Sequence, residues 1–147
     1  MRIKILVIVT ILAILAIIAS YIFSELISIQ GNLIRSVFIR DVPVKAEVVS
    51  CAKKIELGLG GRKNLPEGRG MLFAMPGNQV QRFWMKGMRF PIDIIWIANG
   101  QVIGCERNIS ADDTRIFTSP DSSNFVLEVP AGFCDRYGVQ SYDDVRI

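Results

Sequence analysis

The fold is decided by one stretch of the sequence, Pro91-Ile92-Asp93-Ile94-Ile95-Trp96-Ile97-Ala98-Asn99-Gly100-Gln101-Val102-Ile103-Gly104-Cys105. Its first half is dominated by β-branched and aromatic residues, which favour an extended strand. The Asn-Gly pair in the middle supplies the positive φ values that a type I′ turn requires. The apolar residues after this pair return as a second strand. The stretch therefore predicts a β-hairpin over residues 92–107.

Short strand patterns surround this hairpin on both sides. Before it lie residues 36–39, 44–49 and 71–75, and after it lie residues 125–129 and 144–147. The second of these patterns alternates apolar and charged residues, as a half-buried strand does. The number and shortness of these patterns predict a mainly β (α+β) domain, built as a small barrel-like or rolled antiparallel sheet.

Two short helices are predicted between these strands, at residues 51–57 and 131–137, and each stops at a glycine. The polar stretch 108–124 has no clear periodicity and is longer than most connections in a compact domain. It is therefore interpreted as either a functional loop or a poorly ordered one.

An apolar run covers residues 5–23 and follows the basic residues Arg2 and Lys4. About 20 residues without a charge, folded as a helix, span the hydrocarbon layer of a bilayer. The sequence thus predicts a cytoplasmic segment 1–4, a transmembrane anchor 5–23, a linker 24–33 and a domain 34–147. The basic flank places that domain outside the cytoplasm. A cleaved signal peptide is the alternative, although Ile17 fits the small-residue cleavage pattern poorly.

The composition excludes several classes of site. Histidine is absent, which rules out a Ser-His-Asp or Cys-His catalytic pair and any zinc site that uses imidazole. Residues 34–147 carry 15 Lys and Arg against 13 Asp and Glu, so no strong excess of positive charge indicates a nucleic-acid surface. We therefore expect no metal, no cofactor and no nucleic-acid partner.

Three cysteines, Cys51, Cys105 and Cys134, are too far apart in sequence for a C-x-x-C redox or metal pair. If the domain lies outside the cytoplasm, one disulfide with one cysteine left over fits this count. The favoured interpretation is that all three are small buried apolar residues.

Four motifs occur in the order of a known family: Gly70-Met71-Leu72-Phe73, Phe83-Trp84-Met85-Lys86, Pro91-Ile92-Asp93-Ile94-Ile95-Trp96-Ile97 and Val126-Leu127-Glu128-Val129-Pro130-Ala131-Gly132-Phe133. In these motifs the chain resembles the family called domain of unknown function 192 (uncharacterised protein family 0127), here as a membrane-anchored member. The resemblance covers about residues 34–147. It implies a compact, mainly β fold, often behind a signal or membrane segment, and it implies no particular reaction.

Trp84, Lys86, Asp93 and Glu128 are the candidate site residues, because they stand as aromatic or charged positions inside apolar motifs. In a structural interpretation, Lys86 pairs with one of the two acids and Trp84 fills the core. In a ligand-binding interpretation, Trp84 is a platform for a flat ligand at a groove, and Lys86 and Asp93 supply charge and hydrogen bonds there. An enzyme interpretation instead makes the two acids a catalytic carboxylate pair, while the catalytic residues themselves stay unassigned.

A glycine-rich loop after the first helix carries three cations, Arg62, Lys63 and Arg69. It is interpreted as a solvated turn or as a site for an anion such as phosphate or a lipid headgroup. The leading hypothesis is a membrane-anchored extracytoplasmic domain with a binding or scaffolding role, with an envelope polymer, a small ligand or a protein as partner. The alternative is a carboxylate-based hydrolase or lyase that uses Asp93 and Glu128.

Overall fold

The structure is a computed structural model that describes the backbone of residues 2–26 and 31–147, and the side chains of residues 8–22 and 31–147. The helices and strands follow in the order α1 (Arg2–Leu26), β1 (Leu33–Ile39), β2 (Val42–Val49), α2 (Ala52–Leu57), β3 (Arg69–Gln79), β4 (Arg82–Phe83), β5 (Ile92–Ala98), β6 (Gln101–Ile109), β7 (Phe117–Thr118), β8 (Ser123–Pro130), α3 (Phe133–Arg136) and β9 (Val145–Arg146). Met1 of the predicted cytoplasmic segment and residues 27–30 of the predicted linker lie outside the described residues.

Helix α1 coincides with the apolar run, and its side chains from residue 8 to residue 22 are all exposed. Within the described part of the chain, no helix combines the length and apolarity needed to cross a bilayer.

The domain is built on one curled seven-stranded sheet with the order β6-β5-β8-β3-β2-β1-β9. Its two edges approach each other, because Gln101 in β6 forms a bridge with Asp144 just before β9. The Val145 amide adds a 2.7 Å hydrogen bond to the Gly100 carbonyl. The barrel-like, mainly β prediction is therefore confirmed as a half-barrel.

The sequence predicted an antiparallel sheet, but the sheet contains one parallel pair of strands. Strands β2 and β3 run parallel, with Ala46 opposite Gly70 and Val48 opposite Leu72. A parallel pair needs a crossover connection, and here that connection contains α2 and the glycine-rich loop. The crossover places α2 beside one face of the sheet, where it contributes to the site described below.

The predicted hairpin is confirmed as β5 and β6. Asn99 and Gly100 have φ values of 52° and 74°, as the type I′ turn requires. Every residue of β5 is buried, because both faces of the sheet are covered. Ile95 belongs to the apolar cluster on the α3 side, whereas Ile94 belongs to the cluster on the α2 side.

Three local predictions need correction. The two short helices occur where expected, but both are shorter than predicted. The residues Pro76-Gly77-Asn78, a sequence typical of a turn and predicted as one, instead lie within the exposed end of β3. The stretch 108–124 is ordered, because β7 within it pairs with β4 and buries Phe117 against the α2-side cluster.

The favoured interpretation of the cysteines as three small buried apolar residues is wrong, and the alternative, one disulfide with one cysteine left over, is what the structure has. Cys105 and Cys134 form a disulfide with a sulfur–sulfur distance of 2.06 Å, and Cys51 is free and exposed. The pairing joins β6 to α3, two elements that the sequence separates by 29 residues. Because the strand order brings these elements together only in the folded domain, their spacing along the chain carried no signal of the pairing.

Candidate functional site

Asp93 lies near the start of β5 and is fully buried. Its carboxylate accepts three backbone hydrogen bonds, from the amides of Asn108 at 2.7 Å, Cys134 at 2.8 Å and Gly132 at 3.2 Å. These donors belong to the end of β6 and to the start of α3. A buried carboxylate needs such partners, and here it holds α3 against the hairpin. Asp93 is therefore a structural residue.

Glu128 lies in β8 next to β5, but its side chain points the other way. In the antiparallel pair Asp93 stands opposite Val129, and Glu128 stands opposite Ile94. Residues directly opposite share a face, and successive residues alternate between faces. Asp93 and Glu128 are thus on opposite faces of the sheet, and the predicted carboxylate pair does not form.

A cleft opens on the Glu128 face, between the end of α2, strand β3 and the segment 82–88. Its cavity volume is about 90 Å³. Most of its lining is apolar, and a few polar groups stand at its rim and floor. The lining residues are Ile55, Glu56, Leu57, Gly58, Leu59, Gly60, Phe73, Met75, Arg82, Phe83, Trp84, Lys86, Met88 and Glu128. A mainly apolar concavity with a few polar groups is the usual form of a small-molecule site.

The carboxyl group of Glu128 lies at the floor of this cleft. Its strand neighbours in register are Met71 and Ile94, both apolar and buried. The residue is 5% exposed, and its Oε2 atom has no hydrogen-bond partner among the described residues. Burial raises the pKa of Glu128 to about 8, and the nearby positive charge of Arg62 offsets part of that effect. At neutral pH the group is therefore mostly a neutral carboxylic acid.

Trp84 and Lys86 stand at the rim of the cleft. Trp84 is 47% exposed, so it does not fill the core as the structural interpretation required. Lys86 is exposed, and no ion pair or hydrogen bond joins it to Asp93 or Glu128 within the described residues. The predicted Lys86–acid pair is therefore wrong. The structure brings Trp84, Lys86 and Glu128 to one cleft and leaves Asp93 on the far side of the sheet.

Arg62 does not stand free in a basic loop. It makes two hydrogen bonds to the carboxylate of Glu47, at 2.6 Å and 2.8 Å. Such a bidentate contact is the strongest form of Arg–carboxylate pairing. Lys63 is exposed and Arg69 is half-buried at the start of β3. The loop therefore offers a structural ion pair rather than three cations for one anion.

The contribution of α2 and of segment 82–88 to one cleft was missed at the level of sequence. The apolar side chains of Phe73 and Phe83 meet edge to face, with ring centroids 4.9 Å apart. Along the chain, Phe73 and Phe83 are separated by the second half of β3, where the pairing of β3 with β8 is irregular. An excess of aromatic and Met residues between positions 71 and 90 was the available signal. It did not indicate which of them stay open to solvent.

One group of potential metal ligands lies near the disulfide. An oxygen of Asp93 and the sulfurs of Cys105 and Cys134 lie within 4.8 Å of one another. The two sulfurs are bonded to each other, so they do not provide thiolate ligands.

Comparison with known proteins gives a family and a fold. The family model DUF192, described as "Uncharacterized ACR", matches residues 36–147. No curated protein matches the chain. A crystal structure of a protein of unknown function from Novosphingobium aromaticivorans is similar, with a TM-score of 0.78 and 23% identity over 82% of this chain and 89% of that chain. A crystal structure of a "putative transcription regulator" from Sinorhizobium meliloti has a TM-score of 0.68 and 28% identity, covering 71% and 81%.

Proposed function

The chain belongs to the DUF192 family, and from that premise we propose that it is a membrane-anchored, extracytoplasmic binding module. Its ligand enters the cleft beside Trp84 and Lys86. The groove proposed from the sequence is kept, except that Glu128 takes the place of Asp93. No catalytic step is part of this proposal, because the two acids that would share a reaction lie on opposite faces of the sheet.

The observation that carries the proposal is the buried Oε2 atom of Glu128, which has no hydrogen-bond partner in the described part of the chain and lies on the floor of an apolar cleft. A buried polar group without a hydrogen-bond partner costs about 1–3 kcal/mol. A ligand that supplies that partner offsets this cost when it binds. The position of Oε2 beneath an open cavity therefore supports a binding role for the cleft.

The chemistry of the lining limits the class of ligand. A neutral carboxylic acid donates one hydrogen bond, so the group it meets carries an acceptor oxygen or nitrogen. The half-exposed indole of Trp84 offers a flat apolar surface, which suits an aromatic or sugar ring. A cavity of about 90 Å³ admits a single ring. We therefore propose an uncharged ring with a hydrogen-bond acceptor, free or as part of an envelope polymer.

Titration of the protein with glucose, N-acetylglucosamine, phenol and benzamide, followed by tryptophan fluorescence, tests this binding role. Trp84 is exposed at the cleft and Trp96 is fully buried, so a saturable change reports on Trp84. We expect such a change with at least one probe, and its loss in Trp84→Phe and in Glu128→Leu. Tyr142→Phe is the matched control, because Tyr142 is exposed outside the cleft. No saturable change with any probe at millimolar concentration would contradict the proposal.

Two features support the anchored, extracytoplasmic placement. The apolar run 5–23 follows two basic residues, and basic flanks stay in the cytoplasm. The Cys105–Cys134 disulfide is the kind of bond that persists in oxidising compartments. Protease added to intact cells tests the placement through an epitope at the carboxyl end. Cleavage in intact cells is the expected result, whereas cleavage only after lysis would place the domain in the cytoplasm.

A further inference from the structure

The charges of the domain are unevenly distributed over its surface. Residues 52–63 and 82–89, which we call the basic face, contain seven of the fifteen Lys and Arg residues between positions 31 and 147, but one of the thirteen acids. The remainder holds eight cations and twelve acids. Glu47 lies beside the basic face and neutralises Arg62, so six cations of this face stand against Glu56 alone. Near-neutrality of the whole domain thus conceals a positive face.

The fold brings the two segments of the basic face together. The Gly61 amide donates a 2.9 Å hydrogen bond to the Gly87 carbonyl, which joins the loop after α2 to the loop after β4. The cations Lys53, Lys63, Arg82, Lys86 and Arg89 are all exposed.

Exposed apolar side chains stand among these cations. Leu57 is 53% exposed and Trp84 is 47% exposed, and both line the rim of the cleft. A surface that combines Trp and Leu with Lys and Arg matches the interface of a bilayer. There the indole ring sits at the level of the headgroups, and the cations meet anionic lipids. A nucleic-acid surface would use the cations but gains nothing from an exposed leucine.

The start of the domain is fixed beside the same face. The side-chain oxygen of Asn32 accepts a 2.5 Å hydrogen bond from Lys54 in α2, and its amide donates a 3.0 Å hydrogen bond to Glu47. Asn32 follows Leu26, the last residue of α1, by six positions. Even fully extended, six residues reach about 20 Å. A helix α1 set in a bilayer therefore keeps Asn32, and with it Lys54 of the basic face, within about 20 Å of the end of that helix.

From these contacts we infer that the basic face docks on the anionic surface of the bilayer that holds α1, with Trp84 and Leu57 inserted at the headgroup level. The inference rests on the proposed anchor. The cleft then opens toward the headgroup layer, and its ligand enters from the membrane surface.

The test uses the full chain reconstituted in vesicles of phosphatidylcholine with phosphatidylglycerol, in which a fraction of the lipid carries bromine on the acyl chain near the headgroup. Bromine quenches a tryptophan that contacts it. We expect strong quenching in the wild-type protein, and loss of that component in Trp84→Phe, because Trp96 is fully buried. Tyr142→Trp in the Trp84→Phe background keeps the same tether and places an exposed tryptophan outside the basic face, where it should remain unquenched.

Charge and salt provide the second measurement. Lys86→Gln removes one cation of the basic face, and Arg146→Gln removes one exposed cation from the edge strand β9, outside the basic face. One basic residue near an anionic surface changes its occupancy on the order of fivefold, so the ratio of docked to undocked protein should fall about fivefold in Lys86→Gln alone. Added salt should weaken docking of the wild type.

The outcomes separate the two proposals. A full chain that does not float with the vesicles overturns the anchor, and the docking inference fails with it. A chain that floats while Trp84 is quenched no more than the tryptophan at position 142 overturns docking alone. Equal quenching in purely zwitterionic vesicles would also overturn docking on an anionic bilayer.

Discussion

Gly70 in β3 runs so close to Glu128 in β8 that a Cβ atom at position 70 would lie 2.8 Å from the Glu128 carbonyl oxygen. The same Cβ would lie 2.9 Å from a methyl group of Val44 on the other neighbouring strand. Real Cβ atoms do not approach backbone oxygen at this distance. The glycine therefore permits the close approach of the strand that carries the floor of the cleft.

Gly70→Ala should destabilise the domain by about 1–3 kcal/mol, the usual range for overpacking a filled site. Urea unfolding measures the change. Gly77→Ala is the matched control in the same strand, because a Cβ there meets nothing within 4 Å, and it should stay within about 0.5 kcal/mol of the wild type. Equal effects of the two substitutions would contradict the close approach.

Glu128 should make stability depend on pH. Burial raises its pKa to about 8 from an ordinary 4.5, so between these values the native state keeps a proton that the unfolded state releases. The free energy of unfolding should therefore fall as pH rises from about 4.5 to 8, by on the order of 4 kcal/mol relative to Glu128→Gln. Urea unfolding of both proteins across this range measures the difference. Parallel pH profiles would show that the carboxyl group titrates normally.

Asp93→Asn should cost stability and leave ligand binding at the cleft intact. The side-chain amide introduced by this substitution can accept only some of the three backbone hydrogen bonds that the Asp93 carboxylate accepts. The charge-assisted hydrogen bonds that are lost correspond to about 2–3 kcal/mol. Lys86→Met should be nearly neutral for stability, since no acid pairs with Lys86 within the described residues. A comparable loss in both variants would restore the idea of a Lys86–Asp93 pair.

The Cys105–Cys134 disulfide should stabilise the domain by about 3.6 kcal/mol, the value expected for closing a loop of this length in the unfolded chain. Guanidinium unfolding with and without a phosphine reductant measures it. Cys51→Ser is the control, because Cys51 is free and exposed, and it should leave both curves unchanged. An unfolding midpoint insensitive to reductant in the wild type would contradict the prediction.

The sequence predicted what depends on neighbouring residues. The β5–β6 hairpin is specified by Asn99-Gly100 and by the apolar arms on either side. The two short helices and most of the strands also carried local signals. Only their bounds differed, because the last turns of short helices carry little signal of their own.

Contacts between distant segments could not be predicted from the sequence. Whether Asp93 faces Lys86 or α3 depends on which side of β5 its side chain points to, and a buried strand with two apolar faces shows no alternation. The parallel pairing of β2 with β3 and the disulfide depend in the same way on strand order. The cleft was predicted only in part, through Trp84 and Lys86, because the burial of Glu128 and the position of α2 follow from that order.

The bond between Cys105 and Cys134 also determines how the domain responds to a cut in its chain. The residues between the two cysteines include the exposed stretch from Thr114 to Ile116, which a protease can reach. A single cut there leaves two polypeptides that the disulfide still joins, so the nicked protein keeps the mass of the whole on a gel run without reductant. The two fragments separate on the gel only when the bond is reduced. In the native nicked protein, β8 stays paired with β5 and β3.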